Sequence, residues 1–208
     1  MENIVIVGAS GFGKEIKWII DRENQIKTRW EFLGFIDKEY ENEEVIGDDN
    51  FIINYPQELN VVIAIANPDI RKRLVYKYKS NGNIKFPNLI DPSVIMSESI
   101  KMGEGNIICA NNILTIDVTI GDFNIINLSC TIGHEVNINN FVTVNPGVNI
   151  SGNVCLDDGT NIGTGAKIIQ GKSIGEDSVI GAGAVVIKSI EPNSTAVGVP
   201  AKVIKGNR

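Results

Sequence analysis

The sequence predicts a small N-terminal α/β domain followed by a left-handed parallel β-helix. Three observations predict it. Every sixth residue from Met96 to Val186 is aliphatic or methionine. Ahead of that stretch, short apolar runs alternate with helix-like segments around a glycine-rich loop. Between the two patterns lies Phe86-Pro87-Asn88-Leu89-Ile90-Asp91-Pro92, whose two prolines mark a junction. The expected boundaries are 1–85 for the α/β domain and 86–208 for the β-helix.

The sixfold series runs from Met96, Met102, Ile108 and Leu114 through Ile132 and Ile150 to Val186, sixteen positions without an exception. A period of six fits neither an α-helix nor a coiled coil. A second track lies four residues after each of these positions. It is mostly small or β-branched: Val118, Cys130, Val136, Val142, Val148, Val154, Thr160, Ala166. Each hexad therefore reads as a short strand plus a turn, and three hexads make one triangular coil. The aliphatic residue fills the prism, and the small residue sits at a corner with little room. Neighbouring coils complete each other's core, and sixteen hexads make roughly five coils.

In the first half, Ile4 to Val7 is a buried-type strand that runs into Gly8-Ala9-Ser10-Gly11-Phe12-Gly13 and a helix over Lys14 to Arg22. Phe32 to Ile36 and Val61 to Ala66 are further strands. Asp69 to Ser80 is an amphipathic helix with Ile70, Leu74 and Tyr78 spaced by four. Strands alternating with helices imply a parallel α/β domain of Rossmann-like type. A glycine loop between first strand and first helix turns backbone N–H groups toward an anion such as a pyrophosphate. Asp37 ends the second strand, where such folds place an acid near a ribose. The spacing is G-x-x-G-x-G rather than G-x-G-x-x-G, and strands are few, so a mononucleotide or nucleotide sugar fits better than NAD. A tight structural turn without a ligand fits the spacing equally well.

Composition narrows the function. The 208 residues carry a formal net charge of −6 and a pI near 4.9, which excludes a general nucleic-acid binder. Cys109, Cys130 and Cys155 are odd in number and show no C-x-x-C spacing, so neither a disulfide framework nor a zinc site is expected. With one histidine there is no metal-ligand cluster. No apolar run approaches the roughly 20 residues of a membrane span, and the N-terminus lacks a leader pattern. The expectation is a soluble, cytoplasmic protein.

The single histidine, His134, lies two residues past the inward Ile132 and so projects outward near a corner. An imidazole can accept and pass on a proton near neutral pH. Its neighbour Glu135 would point away on an extended strand, and helps only if the corner bends it back. Without further information, a solvated surface histidine is the simpler reading. Cys130 falls on the small corner track, a packing position.

The glycine loop, the hexapeptide repeat, Gly133-His134-Glu135 and the terminal Val197-Gly198-Val199-Pro200-Ala201-Lys202 together resemble one family. It is the sialic acid O-acetyltransferase (NeuD-like) and PglD-like sugar acetyltransferase family, within the hexapeptide-repeat acyltransferases. The likeness covers nearly the whole chain. It implies a homotrimer with acetyl-CoA in the groove between neighbouring β-helices, and an acceptor held by the N-terminal domain. It implies His134 as general base, Glu135 raising its basicity, and Asn127 in the active site. Gly152, Thr164 and Ala182 match acetyl-CoA contacts. Ser10, Gly11, Phe12, Asp37, Lys38 and Ala66 match nucleotide-sugar contacts.

The chain departs from the family twice. Many members have histidine where this chain has Phe12. Many also have it where this chain has Thr143, near the acetyl carbonyl, which leaves polarisation of the thioester to a hydroxyl or to backbone N–H groups. The implied activity is N-acetylation of a UDP- or dTDP-linked amino sugar without a metal, with O-acetylation of sialic acid or another sugar hydroxyl as the alternative. A non-catalytic β-helix scaffold and an NAD-dependent enzyme are the competing classes.

Overall fold

The computed structural model describes residues 1–39 and 43–206. They form two compact units, Met1–Pro92 and Ser93–Arg208.

The first unit is built on strands β1 (Glu2–Val7), β2 (Trp30–Ile36), β3 (Val45–Gly47), β4 (Leu59–Ile63) and β5 (Ile84–Lys85). All pair in parallel, in the order β3-β2-β1-β4-β5. Ile4, Val5 and Ile6 on central β1 are 0% exposed, which is why that strand reads as an unbroken apolar run. From β1 the chain passes to β2 on one side, while β4 takes the other side. The crevice at the C-terminal ends of β1 and β4 is therefore a topological switch point.

Three helices complete this unit: α1 (Gly11–Ile26), α2 (Asp49–Ile53) and α3 (Pro68–Tyr78). Helix α1 begins earlier and ends later than residues 14–22, because the glycine loop itself supplies its first turn. Gly13 makes this possible: a Cβ there would run into the carbonyl oxygen of Gly8. Helix α3 buries Arg71, Val75 and Tyr78 rather than the Ile70, Leu74 and Tyr78 face, and Ile70 is 38% exposed. Hydrophobicity alone misses Arg71, because its guanidinium is satisfied by backbone carbonyls.

The junction residues 86–92 lie at the end of the first unit and are tied to its first helix. Asp91, 1% exposed, meets Arg22 of α1 at 2.8 Å, and the Ile90 N–H donates to Glu23 of the same helix.

The second unit is a parallel β-helix. Its strands repeat every eighteen residues, so Met96, Leu114, Ile132, Ile150, Ile168 and Val186 stack in register on the first face. The second face stacks Met102, Ile120, Ile138, Leu156 and Ile174, and the third stacks Ile108, Ile126, Val144, Ile162 and Ile180. From Ile108 onward these inward residues are at most 2% exposed. The repeat ends after Val186, where the last coil is two residues short: Ile174 bridges Ile190 and Ile180 pairs with Ala196. The chain then reverses, and Lys202–Lys205 lies antiparallel on Thr195–Val197.

Corners recur three residues after each inward aliphatic. Asn111, Asp117, Phe123, Ser129, Glu135, Phe141 and Asn153 all take positive φ there. Asn and Asp tolerate this conformation; Phe and Glu do so only when something else is gained. Phe123 and Phe141 stack with ring centroids 5.4 Å apart. Glu135 gains a different partner.

Candidate active site

That partner is His134. Glu135 has a φ of 58°, so the chain turns at it, and its carboxylate returns alongside the preceding residue. His134 Nδ1 lies 3.0 Å from Glu135 Oε2. The side chain of His134 remains 47% exposed. A carboxylate beside Nδ1 favours the tautomer with the proton on Nδ1, in which Nε2 of the neutral ring carries the lone pair. An extended strand could not bring adjacent residues together; the left-handed corner does.

The coil above shapes the ring's position. Eighteen residues on from His134 is Gly152, and Asn153 N–H donates to the His134 carbonyl at 2.8 Å. A Cβ on Gly152 would strike Cε1 and Nε2 of the imidazole. The ring is therefore laid against the bare backbone of the next coil, and only glycine leaves it room.

Asn127 stands at the corner that precedes the same face of the β-helix. Its Oδ1 accepts the Leu128 N–H at 2.7 Å, and its NH2 has no partner among the described residues. Its carbonyl is held from inside by Asn112 Nδ2 at 2.9 Å and the Cys130 thiol at 3.3 Å. Asn112 is 0% exposed and also accepts the Cys130 N–H. It escapes a hydrophobic pattern, although it falls on the corner track four residues after Ile108. Cys130 is 0% exposed and burial pushes its thiol up to about 11, as suits a packing position.

Thr164 and Ala182 are exposed and stack one coil apart on the corner before the first face. Beside them Gly165 and Gly183 have open space where a side chain would project. The result is a bare ledge that could accept an extended chain such as pantetheine. Thr143 is not brought to this ledge. It sits on the third face and is 1% exposed, in one column with Ile107 and Ile125, which are equally buried.

The glycine loop makes a second site in the first unit. Gly8 N–H donates to the Ile36 carbonyl and Ala64 N–H to the Val7 carbonyl, so the segments after β1, β2 and β4 meet at the sheet's C-terminal edge. This gathers Ser10, Gly11, Phe12, Asp37, Lys38 and Ala66. Asp48 and Asn67 cap α2 and α3 with their side chains, whereas N-cap Ser10 makes no side-chain cap bond. The first turn of α1 contains no acid. Its N–H groups and the Ser10 hydroxyl are thus poised for an anion.

Asp37 accepts from Ala9 N–H at 2.8 Å and Glu39 N–H at 2.9 Å, so it organises the loop as well as lining it. Lys38 is tied to Asp49 at 2.9 Å, and that carboxylate also takes Lys77 at 2.6 Å and the Tyr78 hydroxyl at 2.7 Å. Burial raises the Asp49 carboxyl, but these three donors outweigh it and hold it at about 2.

The second unit is thus a stacked-hexad β-helix carrying an outward imidazole–carboxylate pair over a glycine. Comparison with known proteins narrows the class. The PglD N-terminal domain family matches residues 3–78. UDP-N-acetylbacillosamine N-acetyltransferase of Bacillus subtilis (strain 168) is 33% identical over 120 residues, 53% of this chain and 52% of that protein. The match thus spans about half the length of that curated relative.

Solved structures cover the whole chain. WeeI from Acinetobacter baumannii AYE is 30% identical with a TM-score of 0.88, over 98% of this chain and 100% of that one. The acetyltransferase domain of PglB from Neisseria gonorrhoeae FA1090, in complex with acetyl coenzyme A, is 28% identical with a TM-score of 0.89, over 98% and 99%. A mutant of perosamine N-acetyltransferase from Caulobacter crescentus, in complex with CoA and GDP-perosamine, is 26% identical with a TM-score of 0.91, over 100% and 98%. The chain belongs to the PglD-like family of sugar acetyltransferases. No helix among the described residues is long and apolar enough to cross a membrane.

Proposed function

We propose that this protein transfers an acetyl group from acetyl-CoA to the amino group of a nucleotide-linked sugar, with His134 as general base. The observation that carries this reading is the His134–Glu135 pair, 3.0 Å apart and facing outward over Gly152. Glu135 holds the Nδ1 proton, and Nε2 takes a proton from the amine as it adds to the thioester carbonyl; collapse of the adduct breaks the C–S bond, and the proton passes to the departing thiolate to give free coenzyme A. Such a base contributes about 10²- to 10⁴-fold. Backbone N–H groups near Gly152 are donors for the oxygen that becomes negative. Acetyl-CoA would lie along the ledge of Thr164 and Ala182, reach Gly152 at the next corner, and supply the activated acyl group. The buried Thr143 hydroxyl is left out of that role.

The acceptor's nucleotide would sit at the edge formed by Ser10, Gly11, Phe12, Asp37, Lys38 and Ala66. Relatives named for UDP- and GDP-linked amino sugars, together with the free N-cap of α1, support this placement. We further infer a cytoplasmic homotrimer. Ile95 (65% exposed), Ile113 (40%) and Ile116 (56%) form apolar surface on and beside the first face, below His134, which an identical neighbour would cover.

The test is thiol release from acetyl-CoA with UDP-, dTDP- and GDP-linked amino sugars, then with sialic acid and serine, for the wild type and His134→Ala. Turnover with a nucleotide amino sugar that falls at least about 10²-fold in folded His134→Ala supports the reading. Turnover only with a hydroxyl acceptor, or a variant as fast as wild type, overturns it.

A further inference from the structure

The C-terminal edge of the first sheet holds one group outside the residues discussed so far as ligand contacts. Arg71 lies on α3 yet is 1% exposed. Its Nη1 donates to the carbonyls of Ile65 at 2.7 Å and Ala66 at 3.1 Å. Those carbonyls belong to the turn after β4, which stands directly against the glycine loop. A Cβ on Gly8 would lie 3.0 Å from Ile65 Cδ1 and 3.1 Å from the Ala64 oxygen. The turn and the N-terminus of α1 thus share one edge.

A carbonyl oxygen aimed at an anion repels it, and an N–H attracts it. By binding two successive carbonyls, Arg71 draws the negative ends of two peptide dipoles toward itself and away from the anion edge. Burial lowers its pKa to about 9, so it is still a cation at neutral pH. A charge in low-dielectric surroundings is also screened less than a surface lysine. A residue needed only to fill the inner face of α3 could be apolar, since burying a charge is costly.

We propose that Arg71 is a positioning residue for the diphosphate of the nucleotide-linked sugar. It holds the 64–67 turn with its carbonyls withdrawn, so that Ser10, the first turn of α1 and Ala66 present a surface that accepts phosphate. This inference rests on the nucleotide reading given above.

Two variants test it on the full chain. Arg71→Lys keeps the charge and loses the planar fork; Arg71→Met keeps much of the volume and loses the charge. Calorimetry measures binding of UDP, GDP and dTDP and of uridine, guanosine and thymidine, alongside the melting temperature and the KM for acetyl-CoA. In folded Arg71→Lys, affinity for the nucleoside diphosphate that wild type binds should fall about tenfold or more, the scale of one charge-assisted hydrogen bond. The matching nucleoside should lose less, and the KM for acetyl-CoA should hold. A folded variant that binds the diphosphate like wild type overturns the proposal. So does equal weakening of nucleotide, nucleoside and acetyl-CoA, or failure of both variants to fold, each of which makes Arg71 a structural residue. A wild type that binds none of the nucleotides removes the nucleotide reading, and the proposal with it.

Discussion

Replacing Gly152 by alanine should disable His134 without unfolding the protein. The added Cβ would meet Cε1 and Nε2 of the ring and lie 2.8 Å from Cδ2, where ordinary contacts are about 3.4–4 Å. The φ of Gly152 is not in the left-handed region, so alanine fits the backbone without strain. The adjustment must come from the imidazole, which is 47% exposed and free to swing into solvent. That swing gives up the 3.0 Å contact with Glu135 and the position of Nε2. The stability cost should stay within about 1 kcal/mol, while kcat should fall about 10²-fold, close to the effect of His134→Ala. Thiol release at saturating donor and acceptor, with a melting curve, measures both. A double-mutant cycle separates this from a direct contact of Gly152 with acetyl-CoA. In the His134→Ala background, Gly152→Ala should cost little more, because the ring it displaces is already gone. A Gly152→Ala enzyme within about threefold of wild type, or full additivity in the cycle, would refute the reasoning.

Two further outcomes follow from buried polar groups. Thr160 Oγ1 is buried without a hydrogen-bond partner among the described residues, on a track where the coil below has Val142; Thr160→Val should stabilise the protein by about 1 kcal/mol, read as a higher urea midpoint. Asp49 is held at about 2 against an ordinary 3.8, so its charge contributes about 2 kcal/mol above pH 4 that is lost as pH falls toward 2. Asp49→Asn should therefore be less stable near neutrality, with the gap to wild type closing between pH 4 and pH 2; a gap that stays constant in urea titrations across that range would count against the pairing.

The β-helix was legible because its core is a one-dimensional stack. Each inward residue meets its own equivalent eighteen residues away, so the packing rule is written directly as a period of six. The glycine loop was legible for a related reason: a strand, a tight turn and a helix start are local events. The burial of Arg71 was not, since it depends on partners outside its helix, the carbonyls of Ile65 and Ala66. The contacts of Ile90 and Asp91 were likewise hidden, because they reach Glu23 and Arg22 of a helix more than sixty residues earlier.

The sequence by itself thus determined the repeat, the order of the two units and the identity of the one histidine, because these follow from period and residue type. Only the tertiary structure decided that Glu135 turns back onto His134, that Gly152 makes room for the ring, and that Thr143 is closed off while Asn127 keeps its NH2 available. Those outcomes depend on the left-handed turn at a corner and on what the next coil places above it, and neither is carried by the order of residues along a single strand.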